Sequence, residues 1–288
     1  VRVLDKSNLK IRMEDLGFRA ETLAAFDRML RQPYGLVLVT GPTGSGKTTT
    51  LYAALSALNS PDKKILTVED PIEYQLPGVN QIPIKPNIDL TFANALRAIL
   101  RQDPDVVMIG EMRDVETARI AVQAALTGHK VFSTLHTNDA ASSITRLQDM
   151  QIDDYLLTST IDCVLAQRLV RRLCPECRTA YTPPAPLVTK FGLDRLARGE
   201  PLQLYKANGC GHCDHTGFHG RTTILELLEM TDGIRRAVIE RADADTLREI
   251  ARADGFEGMY TDGLRKALAG LTVLEEVERV VQTQATRE

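Results

Sequence analysis

An α/β fold built on a largely parallel sheet is what this sequence predicts, on three observations. Short apolar runs recur at 36–39, 65–68, 106–109 and 131–136, the length and character of strands buried on both faces. Stretches with apolar residues at helical spacing separate them, at 20–30, 92–100 and 115–126. Each run also ends in glycine or in polar and acidic residues, the composition found where ligands meet the carboxyl ends of parallel strands.

Taken in order, residues 1–35 read as an approach segment. Residues 1–4 resemble the tail of a strand, so further chain is expected before Val1. A helix is predicted at 20–30 with Leu23, Phe26 and Leu30 on one face; Leu16 and Phe18 read as core or as a wall for a bound base. Gln32-Pro33-Tyr34-Gly35 is a turn into the strand at 36–39, and Leu51, Tyr52, Ala54 and Leu55 suit a packed helix beyond it. Residues 74–90, with Pro77, Pro83 and Pro86, predict an extended loop or short hairpin. Helices are predicted at 140–149 and 155–169, the second carrying Cys163 and ending in Arg168, Arg171 and Arg172, where a helix dipole favours cations. Residues 224–228 are a last strand or turn, and 234–241, 245–253 and 263–269 are short helices. Thr272-Val273-Leu274-Glu275 is a capping-box pattern opening a final helix. The organisation expected is an approach segment (1–35), an α/β core (36–172), a cysteine-bearing subdomain (173–220) and a C-terminal helical domain (221–288).

The 288 residues are 43% hydrophobic and 25% charged, ordinary for a globular chain. A net charge of −3 argues against a strong global attraction to nucleic acid or anionic lipid, so no nucleic-acid partner is expected. No apolar run is long enough to span a bilayer and no signal peptide is present, which makes the cytosol the expected compartment.

The segment Gly41-Pro42-Thr43-Gly44-Ser45-Gly46-Lys47-Thr48 fits the P-loop pattern, with the required strand before it and helix after it. Its glycines let backbone N–H groups turn toward phosphate oxygens. Lys47 supplies a point charge to the β- and γ-phosphates, and Thr48 offers a hydroxyl to Mg²⁺. Thr49 continues the helix whose positive end faces the same anion. ATP or ADP with Mg²⁺ is the expected ligand. Glu69, Asp70 and Glu73 follow the strand at 65–68, and Glu69 is the candidate to orient or deprotonate a water at the γ-phosphate. Glu111 follows the strand at 106–109 after Gly110, in the position of a Walker B carboxylate near Mg²⁺. Arg97 and Arg101 lie four residues apart on one helix face, Arg113 reads as a phosphate or subunit contact or a surface ion pair, and His136 ends the strand at 131–136.

Five cysteines occur. Cys174/Cys177 and Cys210/Cys213 form two C-x-x-C knuckles, which in a cytosolic protein read as ligands of one structural Zn²⁺ before they read as a redox pair or as free thiols. The excursion between them has few large apolar residues, so the metal is expected to staple it.

The P-loop, residues 65–74, 96–114 and 128–140 occur in this order at close intervals, and together they resemble the secretion ATPase superfamily. The likeness is strongest to the type II secretion ATPases (the GspE family) and to the type IV pilus assembly ATPases, whose four blocks are Walker A, Asp box, Walker B and His box. It covers nearly the whole chain, and the paired cysteines are a mark of the secretion and pilus-extension branches. The resemblance implies a RecA-like core in a hexameric ring, with ATP held between an N-terminal half and this one. It implies Glu69 and Lys47 as catalytic, Glu111 acting on Mg²⁺, His129 and His136 as the His box, and Arg97, Arg101 and Arg113 contacting nucleotide or adjacent acidic groups. The implied activity is ATP hydrolysis that powers type II secretion by driving pseudopilus assembly. The implied partners are an inner-membrane platform protein and a membrane-anchored adaptor, with the motor peripheral on the inner membrane. Pilus extension, a DNA-handling RecA-like ATPase and a ring component that binds ATP without turnover are the alternatives.

Overall fold

A computed structural model describes residues 12–197 and 201–281 of the protein; the strand tail expected at 1–4 lies outside them. Helix α1 (Ala20–Leu30) buries Phe26 and Leu30, and Phe18 stacks on Phe26 at 5.5 Å. Leu16 is buried just before it. The chain then enters β1 (Gly35–Thr40), α2 (Lys47–Leu58), β2 (Ile65–Glu69) and β3 (Asn80–Pro83). It continues through α3 (Phe92–Leu100), β4 (Val106–Ile109), α4 (Val115–Leu126), β5 (Lys130–Leu135), α5 (Ala140–Asp149) and α6 (Asp154–Thr160). Every residue of β1, β2, β4 and β5 is buried, which is why these strands read as mostly apolar runs without alternation. β3 is a parallel edge strand on β2 rather than half of a hairpin.

Residues 155–169 are not one helix. α6 stops at Thr160, and the chain continues as a long strand, β6 (Ile161–Leu173). Its segment Ile161–Ala166 pairs in parallel with β1. Buried on both faces there, it carries no alternation, and Ile161, Val164, Leu165 and Leu169 mimic a helical stripe. Cys163 therefore packs in a sheet, fully buried. Arg168, Arg171 and Arg172 stand on a strand, so a helix dipole does not account for them.

After β6 come β7 (Thr179–Tyr181), α7 (Ala185–Phe191), α8 (Leu193–Ala197), β8 (Leu204–Lys206) and β9 (Phe218–Glu229). The run expected as a short strand or turn at 224–228 is part of this twelve-residue strand. Four helices close the chain: α9 (Asp232–Ile239), α10 (Ala244–Ala253), α11 (Met259–Leu268) and α12 (Leu274–Val281). The main sheet has the order β3-β2-β4-β5-β1-β6-β9, and β7 and β8 form a separate antiparallel pair. The chain divides into two compact units, residues 1–166 with 227–256, and residues 167–226 with 257–288.

In the first unit, the parallel pairing β3/β2, β2/β4, β4/β5, β5/β1 and β1/β6 brings the strands' carboxyl ends to one edge. At the opposite edge, buried Lys130 donates to the Met29 carbonyl oxygen (2.6 Å) and to Asp162 Oδ2 (2.7 Å), tying α1 to the sheet. Gly35 makes room for that pair. Its φ is +121°, and a Cβ there would lie 2.2 Å from Asp162 Oδ2.

In the second unit, Phe191, Leu193 and Leu204 bury against Leu264, Ala267 and Leu274, so the cysteine-flanked excursion shares a small apolar core with α11 and α12. Gly263 lets α12 approach α11, since a Cβ there would lie 2.6 Å from a Val277 methyl. The Thr272 hydroxyl does not cap α12. It donates to the Arg171 carbonyl oxygen at 2.9 Å, and the helix starts at Leu274, later than the capping-box pattern implies. Buried Glu276 clasps α12 to β6 instead, accepting from the Arg171 N–H (3.0 Å), the Arg171 guanidinium (2.8 Å) and the Arg279 guanidinium (2.8 Å).

Burial alone raises the Glu276 carboxyl, but the hydrogen bonds from Arg279 and Arg171 outweigh it and lower it to about 2. A depressed folded-state value stabilises the fold above the unfolded carboxyl pKa and loses that contribution as pH falls toward the folded one. Glu276→Gln should cost about 2 kcal/mol in urea unfolding at pH 7, because two guanidinium groups lose a charged partner. The gap between variant and parent should narrow as pH falls from about 5 to about 3. A gap that does not change with pH would show that the carboxylate charge contributes nothing.

Candidate active site

The P-loop begins where β1 ends. Gly41, Gly44 and Gly46 take φ values of +146°, +81° and +91°, backbone that residues with a Cβ rarely adopt, and they carry the chain from β1 into α2 around Pro42 and Thr43. The first turn of any α-helix leaves N–H groups without intrahelical acceptors. In α3, α4, α5, α9 and α10 a side chain of Thr91, Asp114, Asp139, Thr231 or Asp243 accepts from that turn. α2, like α1, α6, α7 and α11, has no side-chain cap: its N-cap is Gly46, and its first turn of Lys47, Thr48 and Thr49 contains no acidic residue. A helix start left open in this way suits an external anion. Lys47 Nζ donates to the carbonyl oxygens of Gly41 (2.7 Å) and Pro42 (3.1 Å), which places its charge on the loop. Ser45 is buried within the turn.

Gly110 brings the backbone just before Glu111 against that of Glu69. The Gly110 N–H donates to the Val68 carbonyl oxygen (2.8 Å), and a Cβ on Gly110 would lie 3.4 Å from the Glu69 Cα. The same turn is braced from β5, where Thr134 Oγ1 donates to the Gly110 carbonyl oxygen (2.7 Å) and the Met112 N–H to the Thr134 carbonyl oxygen (3.0 Å). The two carboxylates sit in different surroundings. Glu69 is 2% exposed and accepts from Thr67 Oγ1 (2.6 Å), Gln81 Nε2 (3.0 Å) and the Tyr52 hydroxyl. Glu111 lies nearer the surface, paired with the Arg113 guanidinium and 2.9 Å from His136 Nε2. Burial raises the Glu111 carboxyl, but the hydrogen bonds and charges of Arg113 and His136 prevail and hold it below the usual range.

Arg113 also lies 3.8 Å from Asp70 Oδ2, so Asp70, Glu111, Arg113 and His136 form one cluster at the strand ends. The Glu73 N–H donates to the Tyr52 hydroxyl at 3.4 Å. Arg97 instead engages Glu116 and, at 3.3 Å, Asn94. Arg101 is exposed at the end of α3 and makes no ion pair among the described residues. His129 precedes the first residue of β5, whereas His136 follows the last, so the strand separates them by about 20 Å. The His129 ring Nδ1 is 3.0 Å from the Ala124 carbonyl oxygen at the end of α4, a local cap remote from the cluster. Two residues at the carboxylates escape sequence reasoning, Tyr52 and Gln81. Tyr52 reads as one more apolar position of α2. Gln81 sits in an edge strand with no motif around it, and neither carries a signal that the sequence alone would expose.

In the second unit, the ligand atoms of Cys174, Cys177, Cys210 and Cys213 all lie within 4.8 Å of one another. The separations Cys174–Cys210, Cys177–Cys213 and Cys210–Cys213 are 3.9, 3.8 and 3.8 Å. A tetrahedron with metal–sulfur bonds of about 2.3 Å has edges of about 3.8 Å, so the four sulfurs fit one Zn²⁺. They are far beyond the disulfide bond length of about 2.05 Å. Burial raises the Cys213 thiol, but the backbone N–H groups of Cys210 and Gly217, each 3.2 Å from its Sγ, overcome this and lower it to about 6. His212 and His219 stack on each other at 4.5 Å outside the four-sulfur group.

Among the described residues no helix is long and apolar enough to cross a membrane. A family model described as "Type II/IV secretion system protein" matches residues 1–279. The chain is 55% identical over 282 residues to "Type II secretion system protein E" of Xanthomonas campestris pv. campestris, covering 98% of this chain and 50% of that protein. It is 49% identical to "Type II secretion system ATPase E" of Vibrio cholerae, covering 98% of this chain and 55% of that one. The chain thus spans about half the length of the curated relatives it matches. Among solved structures it is similar to the pilus retraction motor PilT with bound ADP, with a TM-score of 0.69 and 29% identity over 94% of this chain and 66% of that one.

Cys163 is as buried as Cys174, but it lies inside the parallel sheet and not in the four-sulfur group that a chelator would open, and burial pushes its pKa well above the usual range. A thiol reagent added with a strong chelator should therefore titrate four of the five cysteines of the native protein, and the fifth only in denaturant. Five fast-reacting thiols without denaturant would contradict the buried placement of Cys163.

Proposed function

Because this chain belongs to the type II/IV secretion system protein family, we propose that it forms the ATP-hydrolysing part of a motor that powers type II protein secretion by driving pseudopilus assembly. The observation that carries this reading is the uncapped start of α2, set at the same sheet edge as Glu69 and Glu111. An anion-receptive helix start supplies phosphate binding, and two carboxylates in unlike surroundings supply separable roles.

In this reading the backbone of Gly41, Pro42, Thr43, Gly44, Ser45 and Gly46 cradles the phosphates, and Lys47 balances the charge that develops on the β- and γ-oxygens. Thr48 and Thr49 complete the helix start, and the Thr48 hydroxyl would hold Mg²⁺, which when bound neutralises phosphate charge. Glu69 accepts the proton of the attacking water. Glu111, held ionised by Arg113 and His136, orients the metal side of the site. His136 and Arg113 change partners with the state of the phosphates, with Arg113 turning to a phosphate or to a second copy of the chain. Arg97 and Arg101 contact nucleotide or acidic groups across a subunit boundary. Residues 36–172 are taken as the ATPase core, 173–220 as a zinc-stapled subdomain in which Cys174, Cys177, Cys210 and Cys213 would hold the ion, and 221–288 as C-terminal helices that are divided between the two compact units. The complete motor is a hexamer at the cytoplasmic side of the inner membrane, working with a platform protein and a membrane-anchored adaptor. Type IV pilus extension is the second reading, supported by 47% identity over 277 residues to a type IV pilus assembly ATPase. A DNA-handling ATPase is disfavoured by the net charge of −3.

Lys47→Ala should abolish ATP turnover in the complete protein, and retained turnover would refute the P-loop assignment. Glu69→Gln should lower kcat at least about a hundredfold with ATP still bound. If Glu111→Gln alone behaved this way, the two carboxylates would exchange roles. Metal analysis should find about one zinc per chain, lost in Cys174→Ser or Cys210→Ser, and a folded, metal-free parent would rule out the closed four-cysteine site.

A further inference from the structure

Glu69 is held by more than its place at the end of β2. Its Oε1 accepts two hydrogen bonds, from Thr67 Oγ1 (2.6 Å) and from Gln81 Nε2 (3.0 Å), and its Oε2 accepts one, from the Tyr52 hydroxyl. An ionised carboxylate offers about four lone-pair positions, two on each oxygen. Both positions on Oε1 are taken, and one on Oε2 is open. The atom that can receive a proton is thus singled out by its neighbours.

We propose that Tyr52 and Gln81 are positioning residues for Glu69, fixing its carboxylate so that Oε2 is the oxygen that takes the proton from water. This rests on the role of Glu69 as general base given above. Tyr52 is itself immobilised. It is 1% exposed, the edge of its ring meets Tyr74 at 4.6 Å and 83°, and its hydroxyl accepts from Gln81 Nε2 at 3.2 Å. Burial first, and then the hydrogen bond to Glu69, push the phenol above its usual range, so it remains a donor at every working pH. Gln81 cannot rotate its amide freely, because its Oε1 accepts from the Leu76 N–H (2.7 Å) while its Nε2 also reaches the Tyr74 carbonyl oxygen (3.1 Å). Its amide is therefore oriented with the donor toward Glu69. The charged and titratable groups along the same edge (Asp70, Glu111, Arg113 and His136) bond to one another and not to Glu69.

Tyr52 stands on α2, the helix whose first turn faces the phosphates, one to two turns beyond Lys47. Gln81 stands on β3, on the far side of β2 from β4. The carboxylate is therefore gripped from the phosphate-binding helix and from the sheet edge at once. Any displacement of α2 relative to β2 would move the Tyr52 donor off Oε2, which makes the geometry of the base dependent on the seating of the P-loop helix.

ATP turnover by the assembled full-length protein tests this. Tyr52→Phe keeps the ring and removes the hydroxyl. It should lower kcat about tenfold, leave KM within about twofold, and move the acid limb of the kcat profile to higher pH, since a carboxylate that loses a donor ionises less readily. In a Glu69→Gln background the same substitution should cause no further loss, because Tyr52 acts only through Glu69. Gln81→Leu should repeat the pattern with a smaller loss, about threefold, and serves as the readout if Tyr52→Phe fails to fold. Unchanged kcat and pH profile in folded Tyr52→Phe and Gln81→Leu would overturn the proposal, as would a loss that adds in full to that of Glu69→Gln, provided that Lys47→Ala is inactive. Turnover that survives Lys47→Ala would refute the ATPase reading itself, and the positioning role would fall with it.

Discussion

A carboxylate buried with no cation beside it among the described residues is the constraint around which the strand-end site is arranged. Glu69 is held by three neutral donors, Tyr52, Thr67 and Gln81. Burying a charge is costly unless hydrogen bonds replace water, and this arrangement replaces it without supplying an opposite charge. The three neutral donors orient the carboxylate and fix which of its oxygens stays open. The three donors come from a helix, from the carboxylate's own strand and from the edge strand. The cage therefore exists only when α2, β2 and β3 are packed in register.

Glu111 shows the contrasting solution a short way along the same edge. It keeps Arg113 and His136 as partners and sits closer to solvent, so its charge is fixed. Gly110 makes the proximity possible by letting its backbone close on Val68 and Glu69. Two acids with the same side chain are thereby separated in character by their neighbours, one suited to proton transfer and one to holding charge. The tetracysteine group belongs to different physics. Its four sulfurs are spaced for a tetrahedron around one ion, which would leave no open position for chemistry, and the small apolar core of the same unit shares the task of holding it together.

Much of this was legible in the residues alone. β1, β2, β4 and β5 are mostly apolar and end in Gly41, Glu69, Gly110-Glu111 and His136, so their existence and the edge where they end could be read. The two C-x-x-C pairs also identified themselves by spacing. β6 did not, because a strand covered on both faces loses the period of two and Ile161, Val164, Leu165 and Leu169 imitate a helix. β9 was hidden for a related reason, its exposed half being polar and its buried half apolar. Tyr52 and Gln81 were invisible because their partners lie 17 and 12 residues away, brought near only by the sheet. Thr272 followed a capping pattern, yet its hydroxyl was taken by a carbonyl oxygen 101 residues earlier in the chain.

The central claim is that this strand-end edge hydrolyses ATP as part of a ring assembled from copies of the chain. ATP turnover per chain, measured across protein concentration with and without a hexamerising fusion, tests it most directly. The account predicts that turnover per chain rises with concentration, that the fusion brings it to its plateau at low concentration, and that Lys47→Ala removes it in both forms. Turnover per chain that is the same at every concentration and unaffected by the fusion would contradict it.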